Sequence, residues 1–377
     1  MPFAAALSEH PLPTHAAGEV IGTVLEALGE GPELAMTFVT AAHAGALEDI
    51  AGAVREVLRP GTLLGVNATS VLGGAREVEE RAAVVLWAGR FGAPVTPVRL
   101  EAVPTPADTV IAGIPADAGG RVMLVLADPF GFPVDTFLDR AAAPGGFTVV
   151  GGLASGAVGP GGNQLLLDRS VHHDGAVGAL LPPGVRVTPI VSQGCRPIGD
   201  PMIVTRSERN VIFELAGQPA LVRLADLVNA LSPEDRALAQ RGIHIGRVIN
   251  EGKLDFEAGD FLIRNVVGGD RSVGALAVGD LVEVGSTVQF QVRDAGSADA
   301  DLRALLGGHG GDGALVFTCN GRGVHLFGQP DHDAKLVESV VPGGAVAGMF
   351  CNGELGPIGD RSFLHGFTAS VLLFNDP

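Results

Sequence analysis

One order of structural signals occurs three times along this chain, and it constrains the fold more than any other feature. The first copy opens with the apolar run Leu34–Thr40. A helical pattern follows, with Leu47, Ile50, Val54 and Leu58 at helical spacing on one face. A second apolar run at 62–66 enters a glycine-rich bend, and 82–87 reads as a closing strand. The second copy has strands at 121–126 and 147–150, a helix face of Val134, Phe137, Leu138 and Ala141, a bend, and a strand at 175–181. The third has strands at 314–317, 345–348 and 367–374, with a helix over 334–341.

The bends agree in detail. Gly348, Gly353, Gly356 and Pro357 repeat the offsets of Gly151, Gly156, Gly159 and Pro160. The first copy keeps Gly65 and Gly73, with Ser70 and Gly74 at the other two places. Glycine supplies positive φ in a reversing chain, and proline after it is expected to end strand pairing. Close approach of backbone to a ligand also requires glycine, so a structural and a functional reading both stand. The expected fold is α/β (α+β mixed), with repeated β-α-β-β units forming mixed, packed sheets flanked by helices.

Between the second and third copies lies a stretch of different texture. It begins with an alternating strand pattern at 185–191 and continues through short strands and an amphipathic helix at 219–231. Ser232 followed by Pro233 marks another helix start. A seam at Gly217-Gln218 suggests two domains, 1–218 and 219–377.

Composition excludes several classes of function. The formal net charge is −17, with only two lysines, Lys253 and Lys335. Such a chain is repelled by nucleic-acid phosphates and anionic lipid, so neither nucleic acid nor membrane is an expected partner. No apolar run approaches the ~20 residues of a membrane span. The N-terminal segment lacks the basic flank of a secretory signal. The three cysteines, Cys195, Cys319 and Cys351, have no disulfide-framework spacing, which fits a cytoplasmic location.

Cofactor motifs fail as well. No C-x-x-C, H-x-H or H-E-x-x-H is present, so no metal is expected. The glycine-rich run 307–313 lacks the Lys-Ser/Thr ending of a phosphate loop, and no third glycine completes a dinucleotide motif after Gly323.

The segments TVVGGLASG (148–156), VSQGCRPIGD (191–200), CNGRG (319–323), NGELGPIG (352–359) and FLHGFTAS (363–370) resemble FIST-domain proteins. The resemblance spans nearly the whole chain, with N-terminal and C-terminal FIST parts. It implies a sensory module of intracellular signal transduction that binds small ligands such as amino acids. No kinase, methyl-accepting or cyclase segment is recognised, so output is expected to pass through an unidentified signalling partner protein.

Within these segments the residues point to one candidate ligand site. Arg196 and Arg322 suit a carboxylate. Asn320 and Asn352 donate and accept at strand ends. Glu354 or Asp360 suits an ammonium group. Cys319 and Cys351 occupy comparable strand ends and read either as packed thiols or as nucleophiles, with His325, His365 and Asp333 as partners for Cys319. The leading reading is a non-catalytic sensor; a cysteine-dependent enzyme on a small substrate and a ligand-free interaction scaffold are the alternatives.

Overall fold

A computed structural model describes residues 2–106 and 108–375. The chain forms two compact units, one made of Met1–Val191 with Leu302–Pro377 and the other of Ser192–Asp301.

The first segment of the larger unit contains β1 (Phe3–Ser8), α1 (Pro13–Leu28), β2 (Leu34–Thr40), α2 (Leu47–Val57), β3 (Thr62–Ala68), β4 (Ser70–Gly73), β5 (Arg76–Glu79) and β6 (Val84–Gly89). The second contains β7 (Thr96–Pro104), β8 (Thr109–Ala112), β9 (Val122–Ala127), α3 (Val134–Ala141), β10 (Thr148–Leu153), β11 (Leu165–Leu167), β12 (Ser170–His172) and β13 (Ala176–Leu180). After β14 (Val187–Gln193) the chain enters the smaller unit. There it forms β15 (Cys195–Pro197), β16 (Met202–Glu208), β17 (Val211–Leu215), β18 (Gln218–Pro219), α4 (Ala220–Ala230), α5 (Pro233–Gln240), β19 (Ile243–Val248), β20 (Phe261–Asp270), β21 (Ala275–Val278) and β22 (Thr287–Arg293). It returns through α6 (Ala295–Leu306) to β23 (Gly313–Cys319), α7 (Val324–Phe327), α8 (His332–Glu338), β24 (Val346–Cys351), β25 (Glu354–Ile358), β26 (Arg361–His365) and β27 (Thr368–Phe374).

Three mixed sheets build the larger unit, in the orders β1-β6-β2-β3-β11-β12, β26-β25-β10-β9-β13-β7-β8 and β14-β27-β23-β24-β4-β5. Each centres on a parallel pair, β2–β3, β9–β10 or β23–β24. Each pair has an antiparallel neighbour from its own segment, β6, β13 or β27. The bend of each segment is a β-hairpin, and each hairpin joins the sheet of another segment. β4 pairs with β24, β11 with β3, and β25 with β10. The exchange therefore runs in a closed ring.

Apolar side chains from all three sheets meet in one core. Phe38 and Met36 of the first sheet, Leu124 and Val150 of the second, and Phe317 and Met349 of the third are fully buried there. Truncating such an aromatic costs about 3–5 kcal/mol through lost transfer energy and a cavity. Helices cover the outer faces: α1 and α2 the first, α3 the second, α6 and α8 the third. Helical spacing at 47–58 and 134–141 therefore reads correctly as buried faces.

In the smaller unit, β22, β16, β17, β21, β20 and β19 follow one another, and β22 also pairs with β19, which closes a barrel. Phe290, Val288 and Ile245 lie in its apolar core. The Ser232 hydroxyl accepts from the Asp235 backbone N–H and caps α5 as expected.

Two expectations about the bends change. Pro357 does not end pairing: it lies inside β25 opposite Ser362, beyond the residues that pair with β10. Glycine at 348 is required by contact rather than by φ. A Cβ there would sit 1.8 Å from the Val316 carbonyl oxygen on the parallel partner, and one at Gly151 would sit 1.9 Å from that of Val125.

Candidate functional site

The end of the β23–β24 pair gathers Cys319, Asn320, Arg322, Cys351, Asn352 and Glu354 from the residues singled out above. A continuous buried run carries β23 to Cys319, which stands in register with Cys351 at the end of β24. Beyond the strands the backbone turns: Asn320 N–H donates to the Cys351 carbonyl at 3.0 Å and Arg322 N–H to that of Cys319 at 2.8 Å. Asn320 Nδ2 donates to Asn352 Oδ1 at 2.8 Å.

Arg322 is fully buried and held bidentately by Asp333, Nε to Oδ2 at 2.7 Å and Nη2 to Oδ1 at 2.8 Å. Thr318 Oγ1 donates to the same Asp333 Oδ2 at 2.7 Å, and His332 Nδ1 lies 2.9 Å from Oδ1. Burial works against the Asp333 charge, but Arg322 outweighs it and holds the carboxyl well below its usual range. The guanidinium carbon of Arg322 lies 5.2 Å from the Phe327 ring centre, and Phe327 stacks on His332.

Glu354 is also fully buried. Its Oε2 accepts from Thr368 Oγ1 at 2.8 Å and Thr368 N at 3.2 Å. Burial raises its pKa to about 8 against the pull of these bonds and of Arg322. Burial likewise pushes the Cys351 thiol well above its usual value, with Glu354 and Cys319 adding to the effect. Full burial and this shift disfavour a Cys351 thiolate. Cys319 is half-buried, and its Sγ accepts from the Gly321 N–H at 3.4 Å.

The hairpin β4–β5 brings a further acid that sequence reasoning missed. Glu77 Oε1 accepts from Ala334 N at 3.0 Å, while Glu77 N donates to Asp331 Oδ1 at 2.9 Å. Burial, then the nearby Asp333 charge, pushes the Glu77 carboxyl to about 7. Glu79 Oε1 accepts from Val324 N at 2.9 Å. Nothing near Glu77 in the sequence signals this role, because its partners lie at 331–334.

Four buried polar atoms around this cluster have no hydrogen-bond partner among the described residues: Arg322 Nη1, Glu354 Oε1, Asn320 Oδ1 and Glu77 Oε2. A buried polar atom left unpaired costs about 1–3 kcal/mol, so such a concentration calls for water or a polar ligand.

The other candidate residues lie elsewhere. Arg196 belongs to the smaller unit, where its guanidinium is taken by Asp294 at 2.8 Å and by Asp235. Asp360 sits in the exposed β25–β26 turn, and His365 Nε2 is 2.9 Å from the Gly356 carbonyl oxygen. Asp333, weighed only as a partner for Cys319, instead pairs with Arg322. Among the described residues no group of three or more His, Cys, Asp or Glu side chains is arranged to hold a metal, and no helix is long and apolar enough to cross a membrane.

Comparison with known proteins adds two findings. The FIST N domain model matches residues 33–218 and the FIST C domain model matches residues 220–357. The uncharacterized protein Mb0898c of Mycobacterium bovis is 42% identical over 371 residues, covering 96% of this chain and 95% of its own length. The uncharacterized protein Rv0628c of Mycobacterium tuberculosis is 40% identical over 379 residues, covering 98% of each chain.

Proposed function

The chain belongs to the FIST family, whose domains are sensory modules of signal transduction, and we propose that it senses a small polar metabolite at the end of the β23–β24 pair. The observation that carries this reading is the convergence of Arg322 Nη1, Glu354 Oε1 and Asn320 Oδ1, all buried and unpartnered. One cationic donor beside two acceptors suits a zwitterion such as an amino acid. The carboxylate meets the open guanidinium nitrogen, and the ammonium meets Glu354 and Asn320. A bound ammonium favours ionised Glu354, so binding near neutral pH releases a proton from a carboxyl whose pKa lies at about 8 in the free protein.

In this reading the protein acts in the cytoplasm and passes its signal to a partner protein. Its N-terminal and C-terminal FIST parts divide at 218/219. Ligand binding shifts a conformational equilibrium only to the extent that it prefers one state.

The test is a thermal-shift screen of the amino acids followed by calorimetry in buffers of different ionisation enthalpy. Glu354→Gln and Asn320→Ala are expected to weaken a hit at least about tenfold, which is about 1.4 kcal/mol, and Glu354→Gln to abolish proton release. Unchanged affinity in both variants would remove the site. A cysteine-dependent activity is the second reading, favoured by the half-buried Cys319 with a backbone N–H on its Sγ. Slow alkylation of Cys319 by iodoacetamide at neutral pH, unaffected by any bound metabolite, would count against it.

A further inference from the structure

We propose that the groove between α1 and α2 docks a basic amphipathic helix of a partner protein. The inference stands on this groove alone and is independent of the ligand site.

The two helices lie on the outer face of the first sheet and bury Val20, Val24, Leu47 and Val54 against it. On their outer side a groove of about 410 Å³ stays open between them. Gly18, Ile21, Gly22 and Leu25 line one wall, and Ile50 and Ala53 line the other. The wall on α1 runs from Pro13 to Leu25, about 18 Å of helix at 1.5 Å per residue, which matches about three turns of an added helix. Apolar residues spaced by three and four along such a groove are what an amphipathic helix reads.

The two glycines sharpen the case. Each glycine inside a helix costs about 1 kcal/mol relative to alanine. A Cβ built on Gly18 or Gly22 meets nothing within 4 Å, so packing within this chain does not demand either glycine. Their absence of side chains serves approach from outside, where small residues let a second helix backbone come close.

Charge selects the occupant. The exposed acids of the two helices include Glu26, Glu48, Asp49 and Glu56, and Asp49 lines the groove itself. The nearby cations are engaged, Arg55 with Asp168 at 2.6 Å and Arg59 with Glu30 at 3.0 Å. With Asp49 in the groove and Glu26 exposed on α1, this acidic face of a chain of net charge −17 attracts Lys and Arg on a partner helix and repels both a second copy of itself and an anionic membrane.

The experiment uses the full chain and a labelled synthetic peptide of three heptads, with Leu and Ala on one face and Lys on the other. A control peptide has the same composition in an order that destroys the apolar face. Fluorescence anisotropy is expected to show binding of the amphipathic peptide only, weakened by salt. Gly22→Leu with Ala53→Leu fills the groove and is expected to weaken binding at least about tenfold, while thermal unfolding shows the fold retained. Glu26→Gln with Asp49→Asn is expected to flatten the salt dependence. Four results each overturn the proposal: no binding, equal binding of both peptides, unchanged binding to the filled groove, or self-association of the protein that the filled groove abolishes.

Discussion

At the end of β9, Asp128 Oδ1 accepts from Asn163 Nδ2 at 3.0 Å, and Oδ2 accepts from the Phe130 and Gly131 backbone at 3.1 and 2.7 Å. Its strand partner β10 closes with Ser155, whose hydroxyl donates to the Phe350 carbonyl and accepts from Thr69 N–H. At the end of β23 the place of Asp128 is taken by Cys319, three residues beyond Val316 as Asp128 is beyond Val125. There Arg322, Glu354 and Asn320 each keep an atom unpaired, whereas around Asp128 only Asn163 Oδ1 is left over among the described residues. Each end closes a parallel strand pair of the same kind, β9–β10 in one case and β23–β24 in the other. One end spends its polar groups on its own turns, while the other holds them in reserve, and that difference separates a connection from a candidate site.

The largest expected effect tests whether buried charge defines the contrast. Arg322→Met leaves Asp333 buried without its partner and is expected to cost about 3–5 kcal/mol in urea unfolding. Arg322→Met with Asp333→Leu is expected to recover most of that loss. Asp128→Asn, which disturbs hydrogen bonds but removes no buried ion pair, is expected to cost about 1–3 kcal/mol. Equal losses for the two single variants would erase the distinction.

A smaller effect lies in the pH dependence. Glu354 and Glu77 hold their protons more tightly when folded, with pKa values raised from 4.5 to about 8 and about 7. Between 4.5 and these values the folded state carries the extra protons, so stability falls as pH rises. Each group contributes a slope of up to about 1.4 kcal/mol per pH unit. Glu77→Gln is expected to reduce the slope below pH 7 and leave that between 7 and 8. Glu354→Gln is expected to reduce the first and abolish the second. Denaturant titrations across pH that show the same slope in both variants would contradict the assignment.

Cys351→Ala is the mildest change, because it gives the third segment the residue that Ala154 and Ala68 provide in the other two. The lost sulfur atom is expected to cost about 1 kcal/mol in thermal unfolding, with ligand affinity unchanged. A large affinity loss would make Cys351 part of the site rather than its packing.

Much of this arrangement is legible in the sequence, for reasons that are local. Apolar runs and helical spacing specify β2, β9 and β23 and the buried faces of α2 and α3. The shared glycine offsets locate the three bends. Asn320 and Arg322 of the CNGRG stretch, and Asn352 and Glu354 further on, are visible because polar residues interrupt an apolar pattern. The hairpin exchange is not legible, because strand pairing between β4 and β24 joins Gly73 to Ala347 and leaves no periodic trace in either. Glu77 is hidden for the same reason. Arg322 looks like an exposed turn residue until Asp333, reached only after α7, closes over it.

The ring of exchanged hairpins has a consequence for how the chain is made. During synthesis β4–β5 emerges early, yet the strand it must join, β24, emerges near the end. The edge of β10 likewise waits for β25. The second sheet cannot be completed, and β4–β5 has no sheet to join, until the C-terminal segment arrives, so folding is governed by contacts between distant parts of the chain, which form slowly. Until the C-terminal segment leaves the ribosome, unpaired strand edges stay open to wrong partners. A chain stopped just before Glu354 would lack β25, β26 and β27, and besides the third sheet it is the second segment, made long before, that would be left with an open edge at β10.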